Sequence, residues 1–172
     1  MSLLEKQINA IKEIYRELDK AKSNIKPVIL GKFALTVYTQ GLYPASNISL
    51  LFPDLELLRK VLKELGYQHI GNDYWLKDDI ALEISKNFEL IATGKFNQVE
   101  VDTEIMNVIS LEDLLADMMN QCLEGDNLVC DLIKVLIASY RDMIDFHYLY
   151  TGLKNKKAVI KFKELRRELG EI

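Results

Sequence analysis

Two short apolar runs constrain this chain more than anything else in it. Val28-Ile29-Leu30 ends at Gly31-Lys32, and Asn47-Ile48-Ser49-Leu50-Leu51 begins sixteen residues after that glycine. Runs of three to five apolar residues bounded by turn residues read as strands buried on both faces. Gly31 permits a sharp turn and close backbone approach. Phe33 to Thr39 carries Phe33, Leu35, Val37 and Tyr38 and reads as a short helix, and Gly41 and Pro44 mark a loop after it. The layout is therefore strand, glycine turn, helix, loop, strand.

On either side of this layout the sequence pattern assigns further elements. Leu4, Ile8, Ile11, Ile14, Tyr15 and Leu18 recur at helical spacing over residues 3 to 22, with charges on the opposite face. After the second strand, Asp54 reads as the N-cap of a helix from Leu55 to Leu65, closed by Gly66. Tyr67 to Ile70, Tyr74 to Lys77, Ile80 to Ser85 and Val99 to Thr103 read as strands. Turns at Gly71-Asn72-Asp73 and Lys77-Asp78-Asp79 separate the first three. The stretch from Phe88 to Gln98 has room for one more short strand. From Ser110 the pattern turns helical, with Ser110 as N-cap and Asp113 three residues on. Helices are expected over 111–122, 127–138, 140–151 and 157–169. This divides the chain into a core of residues 1–108 and a helical segment of residues 109–172.

Composition bounds the function classes. A chain of 172 residues that is 49% hydrophobic and 28% charged can bury a core of ordinary size. The net charge is −4, and no segment is basic enough along the sequence to give a strong duplex nucleic-acid signal. The longest apolar run, Leu128 to Ala138, is interrupted by Asp131 and Lys134 and is too short to span a bilayer, so no membrane partner is expected. The charged N-terminus does not read as a signal peptide. Cys122 and Cys130 lie in no metal-ligand pattern, and the simplest reading is a reduced, cytoplasmic protein. No serine sits in a nucleophile-elbow pattern and neither cysteine is near a histidine in sequence, so hydrolase-type nucleophilic catalysis has no support.

The order of elements, with Leu30-Gly31-Lys32-Phe33-Ala34-Leu35 and Ala45-Ser46-Asn47-Ile48-Ser49-Leu50-Leu51, resembles the nucleotidyltransferase superfamily. The subset it is most similar to is the small prokaryotic AbiEii-type and minimal nucleotidyltransferases. Val108 to Leu114 and Tyr140 to Phe146 also resemble the family, and the likeness runs over roughly residues 20 to 152. It implies an α+β fold, a nucleotidyltransferase-like mixed β-sheet flanked by helices with a helical C-terminal segment. In relatives the second strand carries Asp-x-Asp. Two carboxylates one strand period apart share a face and hold the hard divalent cation that neutralises a departing triphosphate. Here Asn47 and Ser49 stand at those positions and two negative charges are gone. The family's third carboxylate maps onto Glu83, which alternates with Ile80, Leu82 and Ile84, with Glu100 and Asp102 as further candidates.

The site implied by the resemblance is thus nucleotide-binding through Gly31, Lys32, Asn47 and Ser49, with Glu83 as the catalytic carboxylate and no metal ligand set. Mg²⁺ is expected only if activity is retained. Lys32 replaces a small residue. It can pair with a phosphate as a point charge, fill the pocket, or stand solvated at a helix N-terminus.

Three functions follow from these residues. The first is a catalytically degenerate protein that binds a nucleotide or a protein partner, in a toxin–antitoxin or defence pair. The second is an active metal-dependent nucleotidyltransferase. The third rests on Arg141 and His147, which resemble the Arg-x4-6-His signature of HEPN ribonucleases, with Arg holding the scissile phosphate and His moving a proton. That spacing is permissive, and an amphipathic helix with polar residues in solvent is the preferred reading of it. His69 and the cluster Phe146, Tyr148, Tyr150 read as packing or surface residues.

Overall fold

The computed structural model describes residues 1–171 as two compact units, 1–109 and 110–171. Unit 1 is built on a seven-stranded mixed sheet. In chain order its elements are α1 (Leu3–Lys20), β1 (Val28–Leu30), α2 (Gly31–Tyr38), β2 (Ile48–Leu51), α3 (Leu55–Glu64), β3 (Gln68–Gly71), β4 (Tyr74–Lys77), β5 (Ile80–Ile84), α4 (Glu89–Thr93), β6 (Phe96–Val101) and β7 (Glu104–Ile109). The strand order is β3-β4-β5-β2-β1-β7-β6. β1 runs antiparallel to β2 and parallel to β7, and β2 runs parallel to β5. The central position of β1 and β2 explains their largely apolar, buried character, with Ser49 the one polar residue among them.

The register sorts the side chains onto two faces, because paired residues point the same way. Ile29, Leu50, Leu82, Trp75 and Val108 share one face and are all buried. Leu30, Ser49, Glu83 and Tyr74 share the other, which grows more open towards β4, where Tyr74 and Leu76 are exposed. α1 buries Ile11, Ile14, Tyr15 and Leu18 and packs on α3, which buries Leu58, Val61 and Leu62. Asp54 caps α3 by accepting the Leu57 N–H at 3.1 Å.

Two sequence expectations fail in the last hairpin. The strand expected over 99–103 is the end of β6 followed by the turn at Asp102-Thr103, and a further strand, β7, begins after it. Asp102 and Thr103 both adopt positive φ, 50° and 68°. That is the twist a tight hairpin needs, but Thr is a poor residue for it, so the turn lacks the usual Asn-Gly or Asp-Gly mark. The stretch 88–98 holds the short helix α4 before β6 begins at Phe96.

Unit 2 consists of α5 (Leu111–Leu123), α6 (Asn127–Tyr140), α7 (Phe146–Gly152) and α8 (Lys156–Glu168). Ser110, Asp126, Asp145 and Asn155 cap them in turn, each accepting the N–H three residues on. The helix expected over 140–151 is broken, because α6 runs on to Tyr140 and α7 restarts at Phe146 behind its Asp145 cap. Cys122 and Cys130 form a disulfide, which corrects the expectation of reduced thiols. Their separation of eight residues spans the α5–α6 turn and brings the Cα atoms to 5.0 Å, within bridging range. The cysteines therefore give no argument for a reducing compartment. No helix among the described residues is long and apolar enough to cross a membrane.

Candidate functional site

Backbone conformation sets the site. β1 ends at Leu30, and Gly31 opens α2 with φ +61°, a left-handed conformation that favours glycine. A Cβ built on Gly31 would lie 3.6 Å from Ser49 Oγ and 3.8 Å from Ser49 Cβ. The turn therefore sits against Ser49, at ordinary contact distance for an added methyl group. The N-cap of α2, Leu30, supplies no side-chain acceptor to the first turn of the helix. Open amides at a helix start are suited to an anion.

Ser49 stands between two neighbours. Its Cα pairs with Leu30 on one side and Glu83 on the other, and its hydroxyl donates to Glu83 Oε2 at 3.4 Å, a long hydrogen bond. Gly31, Ser49 and Glu83 thus form one half-open cluster from the head of α2, β2 and β5. Asn47 lies one residue before β2 starts and is partly exposed. Lys32 is exposed, so it does not fill the cluster.

The loop leading into β2 is fixed from both sides. Thr36 Oγ1 donates to the Tyr43 carbonyl at 2.6 Å, and Gln7 Nε2 donates to the Ala45 carbonyl at 2.7 Å in a buried contact. These bonds hold the stretch that delivers Asn47 and Ser49.

Glu100 and Asp102, the other candidates for a third carboxylate, are far from this cluster. Glu100 is on edge strand β6, three strands from β2, and Asp102 is in the hairpin turn and pairs with Lys12 at 2.9 Å. The sheet order decides in favour of Glu83 as the carboxylate beside Ser49.

The donor set does not fit a divalent cation. Asn47 and Ser49 offer neutral oxygens and Glu83 is the single carboxylate. Among the described residues no group of three or more His, Cys, Asp or Glu side chains is placed to hold a metal ion.

Two features of the site were not found from sequence. Tyr74 pairs directly with Glu83 on the open face and is 45% exposed, which places an aromatic ring beside the carboxylate. Asp73, read only as a turn residue, is a buried acid. Arg59 reaches it at 2.6 Å and Lys86 at 2.8 Å. The Lys86 ammonium, with Arg59, holds its carboxyl below the usual carboxylate range. Its carbonyl accepts the N–H of Ile84, the residue after Glu83, at 2.9 Å. The β4–β5 register brings Tyr74 to Glu83, and tertiary packing of α3 and of the loop after β5 brings Arg59 and Lys86 to Asp73.

Arg141 ends α6 and pairs with Glu171 at 2.9 Å, while His147 is exposed on α7, so the single helix expected to carry both does not exist. Tyr150 meets Phe162 edge-on at 5.5 Å, and the Arg166 guanidinium lies 3.8 Å from the centre of the Phe146 ring, which makes this cluster a packing feature. His69 stacks on Trp75 at 4.6 Å. A cleft of about 620 Å³ lined by Lys12, Arg16, Asp19, Asn24, Lys26 and Thr103 contains none of the residues around Ser49.

Comparison with solved structures shows the fold to be nucleotidyltransferase-like. The chain is similar to the crystal structure of ANT(2″)-Ia in complex with adenylyl-2″-tobramycin, with 18% identity, a TM-score of 0.55, and coverage of 95% of this chain and 99% of that one. It is similar to the solution structure of the same antibiotic-resistance factor, with 17% identity, TM-score 0.55, and coverage of 80% and 92%. An antigenic nucleotidyltransferase-like protein from Paracoccidioides brasiliensis aligns with TM-score 0.63 at 11% identity, covering 93% of this chain and 87% of that one. No family model and no curated protein sequence matches the chain.

Proposed function

We propose that this chain is a nucleotidyltransferase-fold protein that binds a nucleotide without metal catalysis and acts as a binding or regulatory module. The observation that carries the reading is the environment of Ser49. A neutral hydroxyl, set between Gly31 and Glu83, occupies the point where a metal-binding acid is expected. In this reading the triphosphate lies against the Gly31 turn and the open first turn of α2, with Lys32 as a nearby point charge. Asn47 and Ser49 donate hydrogen bonds to phosphate or sugar oxygens, which carboxylates could not do. A regulatory role in a toxin–antitoxin or defence pair, with a protein partner, is the setting this reading implies.

One observation favours a second reading, an active nucleotidyltransferase. Glu83 keeps the carboxylate position nearest Ser49, at 3.4 Å. A metal-dependent enzyme would have to complete its ligand shell from Asn47, Ser49 and the substrate.

Thermal-shift titration of the whole chain with ATP, GTP, CTP and UTP, each with and without Mg²⁺, separates the two. Ligand at about 100 times its dissociation constant adds roughly 2.7 kcal/mol. For a chain of this length that is a rise of about 5–10 °C. The proposal expects a shift with at least one nucleotide that does not require Mg²⁺. A shift seen only with Mg²⁺, accompanied by pyrophosphate release, supports the enzyme instead. No shift with any nucleotide removes nucleotide binding from the account.

A further inference from the structure

The charge of this chain is unevenly placed. Its net charge is −4, yet residues 154 to 168 contain seven Lys or Arg and only two acids. Read along the sequence, this segment is not a continuous basic run. Helical spacing concentrates it.

α8 buries Ala158, Phe162 and Leu165 on its inner face. At about 100° per residue, Lys156, Ile160, Lys163 and Arg167 fall on one line on the opposite side. Ile160, in the middle of that line, is 66% exposed. The two acids of the helix are engaged away from the line. Glu164 pairs with Lys161 at 3.7 Å, and Glu168 pairs with Lys134 at 3.0 Å. Arg166 is held by Glu171 at 2.9 Å. Among the described residues, Lys156, Lys157, Lys163 and Arg167 have no acidic partner. Lys163 has only the Tyr150 ring, at 5.9 Å.

Helix stability does not account for this arrangement. A surface helix gains from alternating acid and base at i,i+4, and like charges on one face repel. The first turn of α8 contains no acid and carries Lys156 and Lys157, cations at the positive end of the helix dipole. A polyanion lying along the helix would reverse each of these costs. The line from Lys156 to Arg167 is about 16 Å long at the helical rise. That is long enough for its three cations to meet successive phosphates of one strand. An acidic lipid surface fits less well, since the single apolar residue on the line, Ile160, gives no face to insert.

We propose that the outer line of α8 is a docking surface for the phosphodiester backbone of a nucleic acid. Phosphate contacts of this kind position a chain without reading its bases.

The test is fluorescence anisotropy of the full chain with labelled 20-nucleotide single-stranded RNA, single-stranded DNA and duplex RNA across a salt series. The triple variant K156Q/K163Q/R167Q is compared with a control of equal charge change, K22Q/K60Q/K63Q, built on exposed lysines elsewhere. Each phosphate contact contributes about −0.7 to −0.9 to the slope of log affinity against log salt. The expected result is a wild-type slope of about −3. The triple variant should lose about tenfold or more in affinity and about 2 in slope, and the control should keep both. Whichever nucleic acid binds tightest identifies the source of the backbone. The charge-retaining variant K156R/K163R/R167K should bind like wild type, which separates lost charge from lost fold. Three results overturn the proposal: no binding to any of the three at 50 mM salt, equal losses in the triple variant and the control, or competition by poly-glutamate as effective as that by RNA.

Discussion

Replacing Gly31 tests whether the turn at the head of α2 is a conformational device or a packing one. Gly31 sits at φ +61°, and an added Cβ meets Ser49 at 3.6 and 3.8 Å, which is ordinary contact. Gly31→Ala therefore loses stability through backbone conformation and not through collision. An L residue in the left-handed region costs roughly 1–2 kcal/mol. The stiffer unfolded chain returns about 0.4–1 kcal/mol. The net loss is about 1 kcal/mol, a fall in Tm of about 2–4 °C for a chain of this size. Asn tolerates the left-handed region better than Ala, so Gly31→Asn should lose less, despite its larger side chain. The order glycine, asparagine, alanine in a thermal melt is the expected result. If Asn is the worse of the two, packing against Ser49 controls the turn and the conformational argument is wrong. The same Gly31→Ala protein should also lose its nucleotide-induced shift, because the methyl group enters the space the phosphates would use.

Other perturbations have definite outcomes. Asp73→Asn keeps a side chain that tolerates the positive φ of 70° and removes the charge held by Arg59 and Lys86. Both partners are solvent-accessible, 37% and 64%, so the loss is about 1–2 kcal/mol, below that of a fully buried pair. Because the folded carboxyl titrates low, this stability is present above the unfolded value near pH 4 and is lost as pH falls towards the folded one. The melting temperature of the variant should therefore vary less with pH below about 4 than that of wild type. Replacing Cys122 and Cys130 by Ala opens a short loop, at a cost of about 2–3 kcal/mol, and wild type melted in strong reductant should approach the variant. Glu83→Gln should leave nucleotide binding intact in the absence of metal, as read by the same thermal shift.

The central strands and the glycine turn were legible because their signals are local. An apolar triplet, a glycine at φ > 0 and a capping Asp54 each act within a few residues. The face on which Glu83 lies was legible because strict alternation with Ile80, Leu82 and Ile84 fixes which side chains point together. What stayed hidden depends on partners distant in sequence. Asp73 is unremarkable until Arg59 and Lys86 arrive from α3 and from the loop after β5. Tyr74 becomes part of the site only through its register with Glu83. The β6–β7 hairpin was missed because Asp102-Thr103 forms its turn without glycine. The 140–151 helix was drawn too long because Asp145 reads as one more polar residue on a helix and not as the cap of the next. The disulfide follows from the α5–α6 turn, which a spacing of eight residues does not announce.

In the proposed reading, Asn47 and Ser49 stand at a former metal position and their neutrality removes the metal requirement. Calorimetric titration of Mn²⁺ into the wild type and into the double variant N47D/S49D, each in the presence of saturating nucleotide, tests it most directly. The expected result is no Mn²⁺ binding beyond that of free nucleotide in the wild type, and a new site of one ion per chain in the variant, with Glu83 as its third carboxylate. Equal Mn²⁺ binding by both proteins, or none by the folded variant, contradicts it.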